Sequence, residues 1–246
     1  EVILLMRSYF QYLLLILITG VPFLMTAATS QTGDGGQSFE SIPNPTPLSQ
    51  FDLPELMGIS INLEEWCVDV DAYICLKKGV LELIACTKAS KEHESIVAIE
   101  STAKHVHTAL LLLGAEAGSP AQRKPLEDEE NVWMDMPPSG APVDVFLVFD
   151  NEDSAKPVEK PINEFITQED GEIFSTNTFL FAGSILRSAD NNSPHHYMAD
   201  RSGNVISIST FGDEVLCLPG LHSQVNTELY WNVAGDKLPD VGTLVI

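Results

Sequence analysis

The sequence has little positive charge. Lys and Arg together number 13 against 35 Asp and Glu, which gives a formal net charge of −22. There is also no long run of Lys and Arg that could reverse the sign locally. Such a field repels nucleic-acid phosphates and anionic lipid surfaces. We therefore expect no nucleic-acid partner, and membrane association only through the N-terminal segment.

Several catalytic and cofactor motifs are missing. The chain has no GxSxG nucleophile elbow, no HExxH zinc motif, no phosphate-binding Walker loop and no dinucleotide-binding glycine pattern. No repeat with a period of about 20 to 50 residues is present, which excludes a solenoid or a propeller. These absences favour a binding module over an enzyme.

Cysteine is scarce as well. The four cysteines are Cys67, Cys75, Cys86 and Cys217, and no CxxC pair occurs, so a zinc knuckle is excluded. An even number of cysteines in an exported chain permits disulfides, which would have to join different strands. Alternatively, Cys75 and Cys217, each between apolar neighbours, are small buried hydrophobic residues.

Residues 1–30 have the three-part plan of a signal sequence. A positive charge at Arg7 precedes the apolar run 13–25, and small residues follow at 26–30, where a signal peptidase would cut. We expect the natural start to be Met6. No cysteine follows the run, so a lipid-modified N-terminus is not expected.

The leader could instead remain attached. Residues 9–28 reach the length of about 20 residues that a membrane-spanning helix needs, so an uncleaved anchor is the alternative. Residues 31–55 are rich in Gly, Ser, Thr, Pro and Asn and too poor in large apolar residues to fold. We predict a disordered linker there, followed by one domain over residues 56–246.

The domain has the pattern of a strand-rich fold. One amphipathic helix is predicted at about 101–113, with an N-cap at Ser101 or Thr102 and Gly114 at its end. Residues 200–203 predict a hairpin turn between two strands. We therefore expect an α+β fold with a predominantly antiparallel sheet. The predicted strands are 59–63, 66–76, 80–87, 95–99, 143–149, 179–185, 196–199, 205–209, 215–218 and 243–246.

Blocks in both halves of the domain resemble the YdjY-like domain family of bacterial envelope proteins. The specific block is KEHES at 91–95 followed by the helix HTALLLLG at 107–114, and FAGS at 181–184 and LPDVGT at 238–243 follow in the expected order. The resemblance spans roughly residues 58–246. It implies an extracytoplasmic location, in the periplasm or secreted, and a YdjY-like fold, and it assigns no chemistry.

The KEHES block is the strongest candidate for a site. Turn geometry could bring Cys86, His93, Glu94 and Ser95 together, and a His-activated thiolate there would be a nucleophile. With the helical His107, the set Cys86, His93 and Glu94 could instead bind a transition metal. The third interpretation is structural: Glu94 receives backbone N–H groups and His93 orders the turn.

The two helical histidines cannot bind one ion together. His105 and His107 are two residues apart, which separates them by about 200° around the helix axis. Both flank the predicted core stripe of the helix, so a half-buried histidine bonded to a backbone carbonyl is the expected state. The stripe consists of Val106, Ala109, Leu110 and Leu113.

These observations favour an exported or membrane-tethered domain that acts as a binding or interaction module of the bacterial cell envelope. The alternative is a metal- or thiol-dependent redox enzyme, or an accessory protein, that uses Cys86, His93, Glu94 and His107.

Overall fold

A computed structural model describes residues 3–8, 56–126, 132–150, 156–168, 174–188, 193–225 and 230–245. All of them belong to one compact unit. The predicted linker and the predicted anchor at 9–28 lie outside the described residues.

Strands account for 39% of the described residues and helices for 15%. Only one helix there has seven or more residues. The strands are β1 (Ile3–Ser8), β2 (Ile59–Asn62), β3 (Cys67–Ile74), β4 (Leu83–Thr87), β5 (Ser95–Ile99), β6 (Gln122–Pro125), β7 (Trp133–Met136), β8 (Pro142–Phe149), β9 (Val158–Pro161), β10 (Ile166–Thr167), β11 (Thr178–Phe181), β12 (Leu186–Arg187), β13 (His196–Tyr197), β14 (Asn204–Ser207), β15 (Leu216–Cys217), β16 (Asn232–Val233) and β17 (Leu244–Val245). The helices are α1 (Ala103–Leu112) and α2 (Met198–Ser202), with 3-10 turns at Glu92–Glu94, Ile162–Phe165 and Gly235–Lys237.

Most strands join one curled mixed sheet, a half-barrel. Its strand order is β1-β3-β5-β4-β14-β15-β11-β8-β9, and β2 and β17 also pair with β3. The strand β1, which includes Met6 of the predicted leader, pairs with both β3 and β8. The core is built from side chains of this sheet and of α1.

The predicted fold class is wrong. The protein is mostly β rather than α+β, and its sheet is mixed, because β4 pairs in parallel with β5 and β14 pairs in parallel with β15. A short connection between consecutive strands normally makes an antiparallel hairpin. Here residues 88–94 carry the chain back along β4 through the 3-10 turn, so that Ser95 starts β5 beside Leu83 at the start of β4.

The prediction of one main amphipathic helix is confirmed. The Thr102 hydroxyl accepts a hydrogen bond from the His105 N–H at 3.3 Å and caps the first turn of α1. Val106, Ala109 and Leu110 are buried against the sheet. Gly114, with φ of 94°, follows the helix, as a C-terminal glycine should.

Two local predictions differ from the structure. Residues 198–202 form α2, so the predicted hairpin at 200–203 is wrong, and Gly203, with φ of 83°, is the C-cap of α2. Residues 115–140, where the sequence predicts no strand, contain the hairpin β6–β7, in which Arg123 lies opposite Asp135. Its strands carry charged and exposed residues, so they lack the apolar alternation that marks a strand in sequence.

Candidate functional site

Two cysteines meet on the face of the sheet opposite the main core. Cys86 of β4 lies opposite Ala98 of β5, and Cys75 directly follows β3 on the other side of β5. Leu83, Cys86 and Ala98 form a small buried cluster against which Cys75 and Phe211 pack. Cys86 is completely buried, whereas Cys75 is partly exposed. The structure therefore places two free thiols side by side, one of them open to solvent.

Hydrogen bonds make these two thiols unequal. The neighbouring Cys75 side chain lowers the pKa of Cys86, and polar groups of Ser95 and Ser90 and the backbone N–H of Lys91 act in the same direction. The same interaction with Cys86, followed by burial, raises the pKa of Cys75. The Cys75 sulfur also lies 3.1 Å from the Ser95 carbonyl oxygen, to which it donates. A negative charge at this pair therefore resides on Cys86.

The turn formed by residues 88–95 lies beside the two cysteines and is held in place by hydrogen bonds; we call it the latched turn. Tyr73 donates its phenol hydrogen to Glu92 Oε1 at 2.6 Å, and the backbone N–H of Ala89 donates to the same oxygen at 2.7 Å. The hydrogen bond from Tyr73 lowers the pKa of Glu92. At the other end of the turn, Ser95 Oγ donates to the Lys91 carbonyl at 2.8 Å. These bonds fix residues 88–95 over β3 and β5.

The predicted partners of Cys86 are only partly brought together. Ser95 contacts the thiol pair, but His93 points to solvent, with 78% of its side chain exposed, and lies 3.7 Å from Glu94 Oε2. Glu94 Oε1 instead lies 3.4 Å from Lys91 Nζ. Among the described residues no group of three or more His, Cys, Asp and Glu is placed to hold a metal ion. The predicted set Cys86, His93, Glu94 and His107 is therefore not assembled as a metal centre in this geometry.

His107 occupies a separate structural cluster. Its Nδ1 lies 2.9 Å from the Gly183 carbonyl oxygen and 2.8 Å from the Tyr197 hydroxyl. The imidazole packs edge-on against Phe181 and Tyr197, with ring centroids 4.9 Å and 5.6 Å away. Burial lowers the pKa of His107. The neighbouring His105 instead faces the Ser101 hydroxyl, with Nδ1 and Oγ 3.3 Å apart.

A large groove lies outside every predicted site. Its volume is about 940 Å³, and its walls are the β6–β7 hairpin, β12 and the loops around Phe211 and His222. A second cavity of about 330 Å³ adjoins it and shares Leu221, His222 and Ser223 with it. The sequence offered one signal for this groove, namely polar residues scattered over three loops, and such a signal cannot be told from ordinary surface.

The groove is polar and carries positive charge in an acidic protein. Arg123 Nε lies 2.8 Å from Asp135 Oδ1, so this arginine is paired across the hairpin. Arg187 also lines the groove, and no described carboxylate lies within ion-pair distance of it. In the second cavity, Ser209 is 1% exposed and its hydroxyl has no hydrogen-bond partner among the described residues. Exposed Leu186 and Leu221 add apolar surface.

The protein is thus a mostly β domain that is built on a curled mixed sheet and has a polar groove on its surface. The family model of the YdjY domain matches residues 59–246. The chain therefore belongs to the YdjY domain family, as the KEHES and HTALLLLG blocks predict. No curated protein and no solved structure shows a significant match.

Proposed function

We propose that this YdjY domain protein is an exported binding module and that its groove holds a small amphipathic anion. The observation that carries the proposal is Arg187, which lines a groove of about 940 Å³ and forms no ion pair with a carboxylate among the described residues. A protein with a net charge of −22 has few cations. An arginine left unpaired in a concave site is well suited to bind a carboxylate, sulfonate or phosphate.

The rest of the groove supports a ligand with an apolar part. Phe211 and Leu221 line it beside hydrogen-bonding groups of Gln122, Thr210 and Gln224. Binding sites for small molecules combine such apolar walls with a few placed polar groups. The Thr210 N–H donates to the His222 carbonyl and the His222 N–H donates to Thr210 Oγ1, at 3.0 Å and 2.8 Å, so this wall is fixed by paired bonds.

A sulfonated aromatic probe tests the groove. We expect 2-naphthalenesulfonate to shift the backbone NMR signals of Gly212 and Leu221, and Arg187→Gln to weaken that binding about tenfold or more, since a hydrogen bond to a charged group contributes about 1.5–3 kcal/mol. The matched control is Arg201→Gln, which removes the same charge from the exposed surface of α2. Equal weakening by both variants, or shifts outside the groove, would contradict the proposal.

Export and a place in the bacterial cell envelope are the second part of the proposal. They are supported by the signal-like segment 1–30 and the linker-like segment 31–55, with the membrane reached only through the N-terminal segment. Among the described residues no helix is both long and apolar enough to cross a membrane. Expression in a bacterial host followed by fractionation should recover the chain outside the cytoplasm, and recovery in the cytoplasm alone would contradict export.

A further inference from the structure

The strand β1 fills a slot between two other strands of the main sheet. It pairs antiparallel with residues 67–71 of β3 on one side and with residues 143–147 of β8 on the other. A strand that pairs on both sides holds these two edges two strand spacings apart, which is roughly 9.5 Å. Without β1, two rows of backbone N–H and C=O groups would face an empty slot.

Export separates β1 from the rest of the domain. Residues 3–8 precede the apolar run 13–25, and in a signal sequence the segment before that run stays on the cytoplasmic side. If the leader is cleaved, β1 is removed with it. If residues 9–28 remain as an anchor, β1 lies across the membrane from residues 56–246. Both exported forms therefore leave the slot without β1.

We propose that the slot between β3 and β8 accepts an extended segment of a partner protein, which adds a strand where β1 lies in this structure. The proposal rests on the proposed export, but it concerns a surface separate from the groove. In strand addition of this kind, backbone hydrogen bonds supply affinity and alternate side chains supply specificity. The register of β1 shows how such a segment would pair.

The inward side of the slot requires apolar residues. It is lined by completely buried residues of the main core, namely Val68, Val70, Val145 and Leu147. Val68 and Val145 lie on either side of position 6 of β1, and the other two lie on either side of position 4. Residues that pair directly across a sheet share a face, so alternate residues of the added segment face the core. A charge at either position would be buried without a partner.

The outward side of the slot is acidic. Asp69 of β3 and Asp144 of β8 alternate with the core residues and are partly exposed. Position 7 of β1 is an arginine, and it lies directly opposite Asp144. Opposite charges paired across neighbouring strands are favourable. The partner segment should therefore have apolar residues at every second position and Lys or Arg between them.

The linker of the chain itself is a poor occupant. Residues 31–55 contain neither Lys nor Arg, and they have prolines at 43, 45, 47 and 54. Proline cannot donate a backbone hydrogen bond, so it does not suit a strand that pairs on both sides. A second copy loses its own β1 on export in the same way. The occupant that fits is a basic, strand-forming segment of another protein.

A synthetic strand tests the slot on the exported protein. The full chain is expressed in a bacterial host, the exported form is isolated, and its intact mass shows whether residues 3–8 are still attached. The fluorescein-labelled peptide KILLMRSK, which carries residues 3–8 between two lysines, should bind and shift the backbone NMR signals of residues 67–71 and 143–147. The same peptide with Leu4→Asp and Met6→Asp should bind at least about tenfold more weakly.

A variant of β8 tests the acidic side of the slot. Asp144→Asn should weaken binding of the first peptide about two- to fivefold, because it removes the charge opposite the peptide's arginine. Asparagine keeps an oxygen for the Thr178 hydroxyl, which donates to Asp144 Oδ1 at 2.5 Å. The matched control is Asp236→Asn, which removes the same charge from an exposed 3-10 turn and should leave binding unchanged.

Failure of the slot and failure of export give different results. A chain found in the cytoplasm alone contradicts export, and the slot proposal fails with it because β1 stays in place. An exported and processed chain that binds neither peptide, or both equally, contradicts the slot alone. If the leader is still attached, the labelled peptides are added to spheroplasts, on which the domain faces the medium, and the same comparison decides.

Discussion

Gly140→Ala should lower the free energy of unfolding by about 3 to 5 kcal/mol, combining a strained backbone with overpacking. Gly140 has φ of +148°, a backbone conformation that residues with a side chain rarely adopt. A Cβ at this position would lie 2.0 Å from the Phe181 carbonyl oxygen. The neighbouring atoms belong to backbone, so no side-chain rotation can relieve the contact. The Phe181 N–H donates to the Ala141 carbonyl at 2.8 Å, and a shift would break this link between β11 and the start of β8.

Gly242→Ala is the matched control for Gly140→Ala. Its φ is +84° but nothing lies within 4 Å of a Cβ built there. Only the conformational penalty of about 1–2 kcal/mol is expected. Urea unfolding measures both variants, with the midpoint shifting at constant slope. If the two substitutions cost the same, the close approach of residue 140 to β11 is not the source of the effect.

The parts of the fold that follow from local pattern were predictable from the sequence. The apolar spacing in α1, its cap at Thr102 and the glycine at 114 all depend on neighbours within a few residues, and strands such as Ser95–Ile99 are short apolar runs. The family followed from two such blocks. The sheet's mixed character did not, because pairing of β4 with β5 depends on how the turn 88–94 folds back.

The candidate sites also were predictable only where residues close in sequence define them. The KEHES block lies within the turn 88–95, where Ser95 interacts with Cys86 and Cys75. Cys75 precedes Cys86 by eleven residues in the sequence. The two cysteines come near each other only because the strand order is β3, β5, β4. Proximity in sequence favoured His93 and Glu94 instead. The groove depends on Arg123, Arg187 and His222 approaching from distant segments, and no local pattern encodes that.

His107, one of the predicted metal ligands, packs in a structural cluster, and replacing it should have the second large effect on stability. His107→Ala should lower the free energy of unfolding by about 2 to 4 kcal/mol, because it leaves a cavity beside Phe181 and Tyr197 and removes the Nδ1 contact with the Gly183 carbonyl. The control His93→Ala should cost less than about 0.5 kcal/mol, since that side chain is 78% exposed. Equal costs would contradict a structural role for His107.

The same imidazole should make stability depend on pH. Burial lowers the folded-state pKa of His107, so below the unfolded-state value of about 6.5 the unfolded chain binds the proton more readily. The stabilisation that neutral His107 provides is therefore fully present above that pH and is lost as the pH falls through the folded-state pKa. His107→Gln keeps an N–H donor for Gly183 but does not titrate. The difference in unfolding free energy between wild type and His107→Gln should shrink from pH 8 to pH 5, and a constant difference would show that His107 is not held neutral by burial.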